Sequence, residues 1–266
     1  MLAVVAGMLI WLAGRNDDGV DLTHVHGLGV NPADGDLYIA THDGLYRIPA
    51  SGGPTRRVAD TLGDFMGFTV TGPNTFLASG HPAVGQDSPA HLGLIESADA
   101  GRTWKTLSLP GDADFHALRH RHGTVYGYNS VRGQLMVSTD GTTWQTRSTL
   151  GLRDFDVSPA DPKALLATTE AGVQRSGDGG VTWAPVGGPP LVLLAWETTD
   201  RLWGVGSNEL LRSIDGGTSW TPAGRLPGPV SAFSAHNGTL YAAVHEQGVY
   251  RTSDGGATWH KLYRQT

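Results

Sequence analysis

The chain has 266 residues, a net charge of −6 and a pI near 6.0, with 39% hydrophobic residues and no cysteine. It is long enough for a substantial core in one domain, and it carries no basic block, which argues against a nucleic-acid footprint. Without cysteine there are neither disulfides nor thiolate metal sites, so a bound metal must use histidine, carboxylate, methionine or backbone oxygen.

Residues 2–14, LAVVAGMLIWLAG, form an uncharged apolar run that ends at Arg15. The run is short for a membrane span, which needs about 20 residues, and suits the core of a signal peptide. The polar RNDDG that follows reads as a linker. Residues 1–20 are therefore expected to be a signal peptide or N-terminal anchor plus linker. Residues 21–266 are expected to form the folded domain, exported and monomeric, touching a membrane only through such an anchor.

Beyond the linker, 38 glycines and 15 prolines point to many short strands joined by tight turns. The first unit, HGLGVNPADGDLYIATHDGLYRIP (26–49), aligns with RDFDVSPADPKALLATTEAGVQRS (153–176). The two share an N/S-P-A-D turn and, six residues further on, an Ala-Thr pair in the following strand. Five further units end in SADAGRTW (97–104), STDGTTW (138–144), SGDGGVTW (176–183), SIDGGTSW (213–220) and TSDGGATW (252–259). Their tryptophans, Trp104, Trp144, Trp183, Trp220 and Trp259, are spaced 40, 39, 37 and 39 apart. A period near 39 with a turn signal in each unit reads as one four-stranded blade per repeat. In the turn the aspartate accepts backbone N–H bonds and the glycines accept positive φ. The unit starts fall near residues 24, 64, 114, 152, 192 and 230, which predicts an all-β, six-bladed β-propeller with four-stranded blades.

The repeated motif resembles the Asp-box (bacterial neuraminidase) repeat, S-x-D-x-G-x-T-W, of exported sialidase-like and glycosyl-hydrolase-like propellers, over nearly all of residues 22–263. The resemblance implies that the box joins the two outer strands of a blade and is structural, which covers Asp99, Asp140, Asp178, Asp215 and Asp254. The box of the third blade is one residue short, so its turn is expected to differ.

In such a ring the first strand of each blade lines the central channel, and its entrance shares a face with the turn between the second and third strands. Strand residues two apart point to one side. Three consecutive entrances give His24 and His26, Asp64 and Met66, and Asp114 and His116. At the turn register stand His42, His81, Ser130, Glu170, Ser207 and His245. His91, in the insertion HPAVGQDSPAH, falls on the same side. Seven of 11 histidines thus fall on one face, most of them converging on the channel beside blades one and two, while His120, His122, His236 and His260 read as surface.

Imidazole suits copper, zinc, iron and nickel, and thioether favours copper. The expected metal set is His24, His26, His42, Asp64, Met66, His81, Asp114, His116 and His245, with copper as first choice and zinc as second. Asp64 and Asp114 either ligate or hold ring N–H groups. The copper-cluster propeller of nitrous oxide reductase, also ringed by histidines, is similar in architecture only.

Two other readings stand beside this one. In the first, the protein is a sialidase-like glycoside hydrolase or a carbohydrate-binding propeller, because Tyr46-Arg47-Ile48-Pro49 resembles the sialidase arginine motif. The register opposes this, since Arg47 aligns with Arg175, Arg212 and Arg251, ordinary third-strand positions. In the second, the protein is a non-enzymatic scaffold, similar in repeat to photosystem II assembly-factor propellers.

Overall fold

The repeated Ser/Thr-x-Asp turn sets the architecture, because it returns the chain after the third strand of five blades and seats each against the one before. The computed structural model describes Leu22 and residues 24–59 and 63–264; the expected N-terminal segment lies outside them. Each blade is one continuous antiparallel stretch of four strands. The first blade is β1 (Val25–Val30), β2 (Leu37–Thr41), β3 (Gly44–Ile48) and β4 (Arg56–Arg57). The second is β5 (Gly63–Gly72), β6 (Thr75–Pro82), β7 (Leu94–Ser97) and β8 (Lys105–Ser108). The third is β9 (Phe115–Arg121), β10 (Thr124–Asn129), β11 (Gln134–Ser138) and β12 (Gln145–Thr149). The fourth is β13 (Leu152–Val157), β14 (Leu165–Thr169), β15 (Gly172–Ser176) and β16 (Ala184–Pro185). The fifth is β17 (Leu193–Thr198), β18 (Arg201–Val205), β19 (Glu209–Ser213) and β20 (Thr221–Arg225). The sixth is β21 (Val230–His236), β22 (Thr239–Val244), β23 (Gly248–Thr252) and β24 (His260–Arg264). The first strands pack in the ring order β1, β5, β9, β13, β17, β21 and back to β1. The six-bladed propeller is the architecture that the repeat predicts.

The repeated turns join the third and fourth strands, on the outside of each blade. In the fourth blade, Ser176 Oγ donates to Asp178 Oδ1 at 2.8 Å and accepts from the Gly180 N–H at 2.8 Å. Asp178 then accepts from the backbone N–H of Val181 and Thr182 and from the Thr182 hydroxyl. The third-blade turn is tighter, as its missing residue requires: Ser138 Oγ accepts from Gly141, three residues on rather than four.

Gly180 shows why the turn needs glycine. Its φ is +88°, in the left-handed region that favours glycine, and a Cβ there would lie 2.5 Å from Leu135 of the preceding blade. The motif's tryptophans fill the seams between blades. Trp144 stacks on Phe115 at 4.8 Å and donates to Ser108 Oγ of the preceding blade. Trp183 likewise donates to Ser148. Buried clusters straddle neighbouring blades, each of five holding one such tryptophan from the later blade.

Candidate metal centre

Five of the six first strands carry a β-bulge at their channel entrance. The residue left out of the ladder is His26 in β1, Met66 in β5, His116 in β9, Arg153 in β13 and Ser231 in β21. A bulge re-aims its extra side chain, and all five line one channel cavity of about 200 Å³. His26 and Met66 therefore reach the channel through the same backbone device. His24 lies just before β1, at φ +47°.

Around this mouth the first three blades bring carboxylates and imidazoles together. Asp64 pairs directly with His81 across β5 and β6. The close fit depends on Gly80, where a Cβ would sit 1.8 Å from the Asp64 carbonyl oxygen. Asp64 Oδ2 accepts from His81 Nδ1 at 3.2 Å, while Oδ1 lies 2.6 Å from His42 Nδ1 and 4.0 Å from His26 Nε2. The His26 and His42 rings meet edge to face at 4.5 Å, and His24 packs on His42 at 5.0 Å. One ligand atom from each of His26, His42 and Asp64 falls within 4.8 Å of the others.

A second group forms beside it. The insertion after β6 is tied back by the Leu92 N–H to the Gly80 carbonyl at 2.8 Å, and the His91 carbonyl accepts from Gly111 at 2.8 Å. This holds the His91 ring 5.4 Å from that of His81. Asp114, at the entrance to β9, has a side chain only 4% exposed. Its Oδ2 accepts from His116 Nε2 at 2.8 Å and from the Ser130 hydroxyl at 3.3 Å, and lies 3.4 Å from His81 Nε2. His81, His91 and Asp114 make a second triad of converging ligand atoms.

Four buried atoms of these two triads have no hydrogen bond: His26 Nε2, Asp64 Oδ1, His91 Nδ1 and Asp114 Oδ1. Among the described residues, every other such buried atom belongs to a tryptophan or an arginine. Asp64 Oδ1 has His42 close by but not aligned as a hydrogen bond. Burial, reinforced by the neighbouring His42, lowers the His26 pKa to about 4 against the opposing pull of Asp64. The imidazole is therefore neutral near pH 7, the form that can ligate a metal. Burial pushes the Asp114 carboxyl up, but the His116 hydrogen bond and the charges of His116 and His81 outweigh it, leaving its pKa below the ordinary value.

The nine sequence-predicted residues do not form one cluster. His26, His42 and Asp64 form the first triad, and His81 and Asp114 belong to the second. His116 holds Asp114 rather than joining either triad, and Met66 lines the channel cavity. His24 and His245 stand at the rim, 6.2 Å apart, with His245 3.5 Å from Glu246. His91 is the ligand-type residue that the predicted set leaves out. Its signal was the insertion itself, which begins and ends on histidine. Arg47, on β3, pairs with Asp36 at 3.3 Å.

No family model matches the chain, and no curated protein matches it. Solved structures do. The GH74 enzyme of Niastella koreensis is 15% identical over 90% of this chain, with a TM-score of 0.65. The GH74 xyloglucanase of Xanthomonas campestris is 17% identical over 91%, with a TM-score of 0.62. In both cases the match covers 45% of the enzyme, so the chain spans less than half the length of these relatives. YCF48 from Cyanidioschyzon merolae is 13% identical over 90% of this chain and 85% of its own, with a TM-score of 0.56. At such identities the likeness shows the fold, a β-propeller common to GH74 enzymes and YCF48 alike.

Proposed function

We propose that this chain is an exported metal-binding propeller that holds a transition-metal ion at its channel mouth on His26, His42 and Asp64. The supporting observation is the pair of buried, unbonded atoms His26 Nε2 and Asp64 Oδ1 in a triad completed by His42. Leaving His26 Nε2 unpaired costs about 1–3 kcal/mol, and a cation shared with Asp64 Oδ1 and His42 would pair it. Two imidazoles and a carboxylate suit copper and zinc alike. Copper is the first choice, because the Met66 thioether lines the cavity onto which His26 also opens. Three protein ligands leave a position for water or substrate, the arrangement of a site that handles metal or performs metal-dependent chemistry.

The glycoside hydrolase reading has less behind it. It needs two carboxylates set as acid and base or nucleophile, whereas Asp64 and Asp114 are both engaged by imidazoles. Calorimetric titration of tag-free protein with Cu²⁺ and Zn²⁺ tests the proposal against a His26→Ala/His42→Ala double variant. The variant is expected to bind one equivalent fewer than wild type. Wild type that takes up neither ion, or a double variant that binds like wild type, overturns it.

A further inference from the structure

The two carboxylates at the mouth are used in the same way. Asp64 gives Oδ2 to His81 and keeps Oδ1 unbonded beside His26 and His42. Asp114 gives Oδ2 to His116 and Ser130 and keeps Oδ1 unbonded. His91 Nδ1 is unbonded too, and a ligand atom of each of His81, His91 and Asp114 lies within 4.8 Å of the others. A side chain 4% exposed, with a free carboxylate oxygen and two imidazoles in reach, is built to hold something positive. The third member, His81, faces both carboxylates: Nδ1 is on Asp64 and Nε2 is 3.4 Å from Asp114.

We infer that His81, His91 and Asp114 form a second divalent-cation site, joined to the first through the His81–Asp64 hydrogen bond. The inference rests on reading the mouth as a metal centre. The second ion takes His81 Nε2, a nitrogen of His91 and Asp114 Oδ1. His81 keeps its proton on Nδ1 and donates it to Asp64 Oδ2, while Asp64 Oδ1 faces the first ion. Asp64 is thus a ligand in one site and a positioning residue for the other. A carboxylate behind a metal-bound histidine fixes its ring and raises its basicity, and losing it typically costs 10–100-fold in metal affinity. The two sites are linked through the Asp64 carboxylate and the His81 imidazole, so ions bound there would couple through named atoms.

The test is Zn²⁺ stoichiometry and affinity for the full chain and four variants. Wild type is expected to bind two equivalents, and His42→Ala and His91→Ala one each. Asp64→Asn is expected to keep one equivalent, bound about 10–100-fold more weakly than the one His42→Ala keeps. His91→Gln, in the same insertion, guards against a folding defect in His91→Ala, and near-ultraviolet circular dichroism checks both. Undiminished stoichiometry in both folded His91 variants overturns the second site. So does a single wild-type equivalent lost in His42→Ala and kept in His91→Ala, which leaves the first site standing. A single equivalent lost only in His91→Ala supports the second site and removes the first. No binding at all overturns both.

Discussion

His26 shows how one position combines burial, charge and backbone geometry. Its ring is neutral in the folded apo protein down to about pH 4, whereas in the unfolded chain it protonates near 6.5. Between those values the unfolded state binds more protons, so stability is present above pH 6.5 and is lost as pH falls toward 4. Urea midpoints of apo wild type should therefore fall more between pH 7 and pH 5 than those of His26→Gln. Equal losses would show that His26 is not held neutral by the fold. The spacing argument put both histidines at the entrance of β1, where they lie, but for an incomplete reason. His24 and His26 are two apart as strand neighbours would be, yet His24 precedes β1 and His26 is bulged out of the ladder. A bulge leaves no mark in a single sequence, so which histidines converge into triads was not legible from register alone. His91 was left out of the expected set for a related reason, since only the backbone ties at Leu92 and Gly111 reveal where the insertion folds.

At the scale of the element, the repeated turn was the most legible feature of the chain, because its chemistry is local. Ser176 is buried and its hydroxyl is the acceptor for the Gly180 N–H. Ser176→Ala strands that donor and is expected to cost about 1–3 kcal/mol. For a chain of this size that lowers Tm by several degrees; an unchanged melting curve would contradict the account. The turn aspartates respond to acid in a defined sense. Hydrogen bonds from the Thr103 hydroxyl and backbone hold the Asp99 pKa down to about 2. Its contribution is therefore present above the ordinary carboxylate range and is lost as pH falls toward 2. The tryptophan's partner was less legible than the turn. The turn lies within one blade, but the ring packs on the preceding one, a contact set by the closure of the ring.

The whole molecule closes without exchanging a strand, since every blade is contiguous in sequence. The seam between the sixth and first blades has no repeat tryptophan, because the first unit lacks the motif. Leu22, Tyr46, Ile48, Val249 and Tyr263 fill it instead. Blades three to five are held differently. Arg119 of β9 pairs with Asp154 of β13 at 2.6 Å and lies 3.7 Å from Asp156. Those carboxylates in turn accept the backbone N–H of Leu194 and Trp196 in β17 at 2.8 and 2.7 Å. Burial pushes the Asp154 carboxyl up, against the pull of Arg119. Arg119→Met leaves two buried carboxylates without their cation and is expected to destabilise by about 3 kcal/mol. Stability equal to wild type in chemical denaturation would show that the network does not staple these blades. The six-fold repeat made the ring readable, whereas this network depends on Arg119 of one blade and two aspartates of the next, which no period connects.

The central claim is that the channel mouth binds metal through His26, His42 and Asp64. Its most direct test is a crystal of the zinc-loaded full chain, with diffraction measured on both sides of the zinc absorption edge. The account predicts an anomalous peak bounded by His26 Nε2, His42 Nδ1 and Asp64 Oδ1. A zinc-loaded crystal with no peak among those three atoms would contradict it.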